Sequence, residues 1–420
     1  MKRIYVYADF DWLPKIEYVG ELGYESLRGS DSYTFKFSDV WLKKYRSVFL
    51  SADLNNYPGQ QYTQPGKDIF GCFSDSLPDR WGRTLLNRRE QVLAENEHRP
   101  LRHLSSFDYL IRLDDCSRMG GFRFKQELNE EYINSSEKLR IPPLTDIRTL
   151  ISASEEIEKS EEKNQLPDLK WISQLVQPGS SLGGARPKAN ILDENANLCV
   201  AKFPSRKDTY DMAIWEHFAH LLATNAGIHA ATTRVLFTND KYNTLLSKRF
   251  DRTTENKRIH FASAMTLLGL TDGDNASSGY GYLDIVDFIL QYCTNVDENL
   301  QELYRRVAYN ICIGNSDDHF RNHGFLLTPK GWTLSPAYDM NPTLSDYQSL
   351  LISSNTNRAD LGALLNASED YMLNRETAES IILQVVNAVK GWESVATRLG
   401  ISNSEMNRFR ARFNSSISML

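Results

Sequence analysis

Alternating apolar and polar residues in RIYVYA and KIEYVGELGY predict two strands near the start of the chain. The turn-rich RGSDS before YTFKFSDVWLKK predicts a hairpin connection. The period then changes. In DSLPDRWGRTLLNRREQVLAENE, Pro78 and Asp79 supply a helix start and Trp81, Leu85 and Leu86 one apolar face. GGFRFKQE reads as a further strand, and TDIRTLISASEEIEKSEEK has helical spacing at Ile147, Leu150, Ile151 and Ile157. Its acidic run reads as a solvated helix face without a function.

Farther along, KANILD and NLCVAKFP are two strand-like runs separated by the turn residues Glu194 to Asn197. A long amphipathic helix is expected from about Tyr210 to Ala226, then strands in TTRVLF and NTLLSKRF. From YLDIVDFILQYC onward helices dominate, interrupted by GNSDDHFRNHGFLL and GWTLSPAYDMNPTL. Strands followed by helices predict an α+β fold of two lobes with a cleft between them. ELNEEYINSSEKLRIPPL, polar and closed by two prolines, reads as a linker. The expected organisation is an N-terminal subdomain over residues 1–126, a linker over 127–145, the remainder of the N-lobe over 146–253, and a helical C-terminal lobe over 254–420.

Composition narrows the function classes. A length of 420 residues with 41% hydrophobic content suits packed cores, and no run approaches the roughly 18 apolar residues of a membrane span. The start, MKRIYVYADFDW, lacks the apolar block of a signal peptide, so no membrane association and a cytoplasmic location are expected. The five cysteines are scattered without a C-x-x-C pair and read as reduced, mostly buried thiols. A net charge of −6 lacks the basic excess of a chain that binds DNA alone.

Candidate chemistry concentrates in NSDDHFRNHGF. Asp317 and Asn322 are five residues apart, the offset between the aspartate and asparagine of a phosphoryl-transfer catalytic loop. Such a site needs a carboxylate to orient a hydroxyl and accept its proton, with a neutral oxygen ligand for magnesium close by. Asp339 in SPAYDMNP, after the strand-like runs FLL and WTL, supplies a second metal carboxylate. The five-residue spacing also arises by chance, and Asp318 is a neighbouring alternative to Asp317. The combination with upstream elements carries the inference.

Those elements begin with Lys202 in CVAKFP, which either snorkels at a strand end or holds phosphates. Glu216 in the following helix could pair with it or be an ordinary exposed residue. PGSSLGGARPKANI places Gly183, Gly184, Arg186 and Lys188 where backbone N–H groups could cradle phosphates. It matches neither G-x-x-x-x-G-K-[ST] nor G-x-G-x-x-G. His217/His220 and His319/His323 have the spacing of one helix face but lack the glutamate of H-E-x-x-H, and zinc is not expected.

Taken together, GSSLGGARPKA, VAKFPS, SKRFDR, GNSDDHFRNHGF and LSPAYDMNP resemble the HipA family of serine/threonine kinases, toxins of bacterial type II toxin-antitoxin modules. VGELGYESLRGSDSYTFKF and FSDSLPDRWGRTLLNRRE are similar to the family's N-terminal subdomain. The resemblance implies a protein-kinase-like α+β fold, ATP and Mg2+ as cofactors, Asp317 as catalytic base, Asn322 and Asp339 as magnesium ligands, and Lys202 as the phosphate-binding lysine. Lys248 to Arg252, with Arg249, Phe250 and Asp251, would lie near the adenine. Ser181, or its neighbour Ser180, would be autophosphorylated, ejecting the glycine-rich loop and switching the kinase off. A phosphoserine carries about −1.5 to −2 charges and would be driven from a loop meant for ATP phosphates.

The resemblance also implies a HipB-like helix-turn-helix antitoxin, operator DNA contacted only through that complex, and a protein substrate, an aminoacyl-tRNA synthetase such as a glutamyl-tRNA synthetase being the family's known example. Two other readings stay open: a kinase-fold corepressor acting by binding, and a small-molecule kinase.

Overall fold

The computed structural model describes residues 2–27, 30–64, 66–135, 141–176, 184–238 and 241–417. The chain forms two compact units, Met1–Asp208 with Leu246–Ala262, and Thr209–Leu245 with Ser263–Leu420.

The first unit begins with an antiparallel sheet. Strands β1 (Lys2–Ala8), β2 (Glu17–Leu27), β3 (Ser30–Phe37), β4 (Gln60–Tyr62) and β5 (Phe122–Lys125) take the order β4-β3-β2-β1-β5. The two-residue period sends Ile4, Val6 and Ala8 of β1 into the core with Val19, Leu22, Phe35 and Phe122. Helix α1 (Asp39–Tyr45) lies between β3 and β4 in sequence, and α2 (Gly71–Ser74), α3 (Arg80–Asn96) and α4 (Ser106–Arg112) lie between β4 and β5. Asp79 caps α3 by accepting the Gly82 amide, and the buried Trp81, Leu85 and Leu86 form the apolar face that the spacing predicts. A capping box between Ser105 and Asp108 opens α4.

Beyond them, α5 (Ile147–Glu162) packs on α6 (Leu169–Val176), which packs on α3. The acidic run of α5 is not wholly a solvated face. Glu158 is buried and accepts hydrogen bonds from the Ser205 hydroxyl (2.6 Å) and the Arg206 amide (2.9 Å). Residue spacing alone could not show this, because the partners lie more than forty positions away. Strands β6 (Lys188–Leu192) and β7 (Leu198–Lys202) pair antiparallel around the expected turn, with Lys188 opposite Lys202.

A buried charge network closes this unit. Arg249 and Asp251 form a two-pronged ion pair (2.7 and 2.6 Å), and Arg252 adds a third bond to Asp251 at 2.6 Å. Asp251 also accepts the Gly120 amide, while Arg249 donates to the Ser117 carbonyl and to Asn190. Buried charges persist only when paired and hydrogen-bonded in this way.

The second unit is mainly helical. It contains α7 (Met212–Asn225), β8 (Thr233–Leu236), α8 (Ala264–Leu267), α9 (Tyr282–Tyr292), α10 (Val296–Ile313), the hairpin of β11 (Gly324–Thr328) and β12 (Gly331–Leu334), α11 (Leu361–Asn366), α12 (Arg375–Lys390), α13 (Trp392–Arg398) and α14 (Asn403–Ile417). Strands β9 (Thr244–Lys248) and β10 (Phe261–Ser263) straddle the sequence points at which the chain passes from one unit to the other. Leu303, Val307 and Ile311 of α10 are buried, and α12 and α14 pack against that helix. It stops at Gly314, whose φ of +71° suits glycine. A Cβ there would come within 2.7 Å of the Thr343 carbonyl. The helix therefore ends at a fixed point and launches the loop that carries the candidate chemistry.

Among the described residues no helix is long and apolar enough to cross a membrane. Of the cysteines, Cys72, Cys199 and Cys312 are buried, Cys293 is half-buried and Cys116 is exposed. Burial pushes the Cys293 and Cys312 thiols up to about 12.

Candidate active site

The adjacent carboxylates Asp317 and Asp318 have opposite environments. Asp317 is exposed, whereas Asp318 is buried. Asp318 Oδ2 accepts from the Tyr282 hydroxyl and from Asn310 Nδ2, and meets His323 Nε2, each at 2.7 Å. Burial alone would raise the Asp318 carboxyl. The charge and hydrogen bond of His323, the Tyr282 bond and the charge of His319 outweigh it and hold the group below the usual carboxylate range. Burial and the Asp318 charge keep the Tyr282 hydroxyl protonated, so it remains a donor. Asp318 thus ties the loop to α9 and α10 and leaves Asp317 to face outward.

Asn322 lies in a single 3-10 turn, Phe320–Asn322, so His319 and His323 do not share an α-helical face. Its Nδ2 donates to the Asp317 carbonyl at 3.1 Å, which orients the amide. Asn322 Oδ1 is left buried without a hydrogen-bond partner among the described residues. An orphaned buried oxygen is costly unless something absent from the protein itself satisfies it. Aimed by its own amide, it suits a hard cation that takes oxygen ligands.

Asp339 follows β12 in the left-handed region, at φ +57°. Such a conformation in a non-glycine residue costs on the order of 1–3 kcal/mol and persists where the surroundings enforce it. Here the enforcing contacts reach the first loop. The Tyr338 hydroxyl donates to the Arg321 carbonyl, the Asn341 amide to Asn315 Oδ1 (3.4 Å), and the Thr343 amide to the Gly314 carbonyl (2.9 Å). Asp317, Asn322 and Asp339 therefore sit on two loops laced together. No group of three His, Cys, Asp or Glu residues that could hold a metal occurs among the described residues. One or two carboxylates with an amide oxygen, completed by phosphates and water, is a donor set that fits magnesium.

In the first unit, Gly184 takes a left-handed conformation (φ +69°), and its carbonyl accepts from Trp81 N and Lys188 Nζ, both at 3.3 Å. Lys188, expected beside phosphates, is instead 2% exposed and paired with Asp79 at 3.1 Å. Like charges directly opposite across a ladder repel, and this anion offsets one of the two facing lysines. Lys202, its cross-strand neighbour, is half-buried at the end of β7. Ser180, Ser181 and Gly183 lie outside the described residues.

The side chains of Arg249 and Asp251, expected near an adenine, are 2% and 0% exposed and committed to the network described above. Phe250 is half-buried and rests against Phe261 (ring centroids 5.9 Å apart). In the second unit, Glu216 is buried on α7 and is not an ordinary solvated helix residue. His217 and His220 bond to Thr233 Oγ1 and the Ala231 carbonyl, consistent with structural roles.

Asp79 both caps α3 and pairs with Lys188, so two substitutions separate its roles. Asp79→Asn keeps an acceptor for the cap and removes the charge, whereas Asp79→Ala removes both. Urea unfolding is expected to place the alanine variant about 1 kcal/mol below the asparagine variant, the usual worth of a cap.

The chain has a two-lobed, protein-kinase-like α+β fold. Residues 13–106 match the HipA N-terminal domain and residues 180–392 the HipA-like C-terminal domain. The chain belongs to the HipA family. It is 24% identical over 224 residues to the serine/threonine-protein kinase toxin HipA of Shewanella oneidensis, covering 47% of this chain and 50% of that protein. It is 25% identical over 237 residues to toxin YjjJ of Escherichia coli, covering 54% of this chain and 50% of that one. The chain thus spans about half the length of the curated relatives it matches. A chain in the solved complex of HipA, HipB and operator DNA from Shewanella oneidensis MR-1 superposes with a TM-score of 0.68 at 17% identity, over 96% of this chain and 94% of that one.

Proposed function

We propose that this chain is an ATP- and magnesium-dependent serine/threonine protein kinase acting as a toxin, restrained by a HipB-like DNA-binding antitoxin. The observation that carries the reading is the division of labour between the two carboxylates, Asp318 buried and anchoring, Asp317 exposed beside an oriented Asn322. Asp317 orients the acceptor hydroxyl and takes its proton as the new oxygen–phosphorus bond forms and the bond from the γ-phosphorus to the bridging oxygen breaks, releasing ADP. Asn322 Oδ1 and the Asp339 carboxylate would hold magnesium, which when bound neutralises charge on the phosphates. Lys202 and the glycine-rich segment ending at Gly184 would hold the phosphate chain.

Family membership supports the antitoxin as partner, with operator contacts belonging to the complex, and a protein such as an aminoacyl-tRNA synthetase as target. Autophosphorylation at Ser181 belongs to the same reading. Intact-mass and peptide mapping after incubation with ATP and magnesium tests it. One added phosphate on Ser181 is expected, and removal of magnesium with a chelator should prevent it. A protein that arrives unmodified, gains no phosphate and binds no ATP would instead be a binding partner with a kinase's outline.

A further inference from the structure

Leu344 and Tyr347 are each 59% exposed on the segment that follows Asp339. Single exposed apolar residues are ordinary. These two share a loop whose ends both grip the residue before Asp317. Thr343 Oγ1 lies 2.6 Å from Ser316 Oγ and donates to the Gly314 carbonyl, and Ser349 donates through its amide (3.1 Å) and hydroxyl (2.8 Å) to the Ser316 carbonyl.

The tip between these anchors is braced. The Gln348 amide donates to the Asn357 carbonyl (2.7 Å), and the Ala359 amide to the Asp346 carbonyl (2.8 Å). Asp346 also pairs at 3.2 Å with Arg412 of α14, whose guanidinium donates to the Ile311 carbonyl near the end of α10. Exposed apolar residues on a loop held this firmly lose little freedom when something packs on them.

We propose that Leu344 and Tyr347 form the docking ledge for an extended polypeptide that presents its serine or threonine to Asp317 and lays an apolar side chain on the two residues. This deepens the kinase reading and rests on it. Thr343 and Ser316 are hydrogen-bonded neighbours, so Leu344 and Asp317, one residue beyond each, lie within roughly four residues of extended chain. A small hydroxyl substrate would have no use for a ledge at that reach, so the feature favours a peptide acceptor.

The test uses the full chain and a Leu344→Ser/Tyr347→Ser double variant. Both are given radiolabelled ATP, magnesium and a positional library of serine- and threonine-centred peptides, and ATP binding is measured separately. Wild type is expected to select Leu, Ile, Val, Met or Phe at one position within roughly four residues of the acceptor. The double variant should lose that selection, with KM for the preferred peptide raised about tenfold and kcat and ATP affinity unchanged. Three results would overturn the ledge while leaving the kinase reading intact: selection retained by the double variant, no apolar selection by wild type, or self-phosphorylation with no peptide modified. Absence of ATP binding and of any phosphoryl transfer would overturn the kinase reading and the ledge with it.

Discussion

Asp317→Asn is expected to lower phosphoryl transfer by about a hundred- to ten-thousand-fold, the usual worth of a positioned general base. Asparagine keeps the size and hydrogen-bonding reach of aspartate but cannot take the acceptor proton. Because Asp317 is exposed, its replacement should move the urea midpoint by no more than the equivalent of about 0.5 kcal/mol. Magnesium and ATP affinity should change far less than the rate, since Asn322 and Asp339 remain in place. Single-turnover transfer from radiolabelled ATP, measured beside ATP binding and unfolding, separates these quantities. A variant that transfers phosphate at the wild-type rate would remove Asp317 from the role of base, and a variant that no longer folds would mean that its carboxylate braces the loop.

The fold was legible wherever neighbours in sequence are also neighbours in space. The period of two in β1 and β2, the Asp79 start of α3 and the turn between β6 and β7 are local patterns, and the structure contains them. The offset between Asp317 and Asn322 is local too, and one hydrogen bond joins the pair. Contacts at long separation were not legible. Arg249 reads as part of a ligand-facing SKRFDR motif until Ser117, about 130 positions earlier, is seen to accept from its guanidinium. Lys188 reads as a cation beside ATP phosphates until Asp79 is found paired with it. The choice between Asp317 and Asp318 was ambiguous for the same reason. Tyr282 and Asn310, two of the three groups that claim Asp318, come from separate helices upstream. The third, His323, lay five residues away, and that offset was the one signal in the sequence that Asp318 is the structural carboxylate.

Asp318→Ala is expected to damage stability and activity together, in contrast to its neighbour. Removing the carboxylate leaves the Tyr282 hydroxyl, the Asn310 amide and the His323 imidazole with no common acceptor in a buried site. Breaking a buried pair by deleting one partner costs about 3–5 kcal/mol. The loss should appear as a lower urea midpoint for the second unit. Transfer should fall as well, because the loop that presents Asp317 is no longer tied to α9 and α10.

The pH dependence gives this variant a signature that a generic cavity would not share. In the folded protein the Asp318 carboxyl is held below its ordinary value of about 3.9, so the unfolded chain binds the more protons in between. The stability contributed by the carboxylate is therefore complete above about pH 4 and disappears as pH falls through the lower folded value. Asp318→Asn, which keeps the shape without the charge, should be destabilised relative to wild type at neutral pH and approach it in acid. A gap between the two proteins that stayed constant from neutral to strongly acidic pH would mean that Asp318 supports the loop by its shape and hydrogen bonds, with no contribution from its charge.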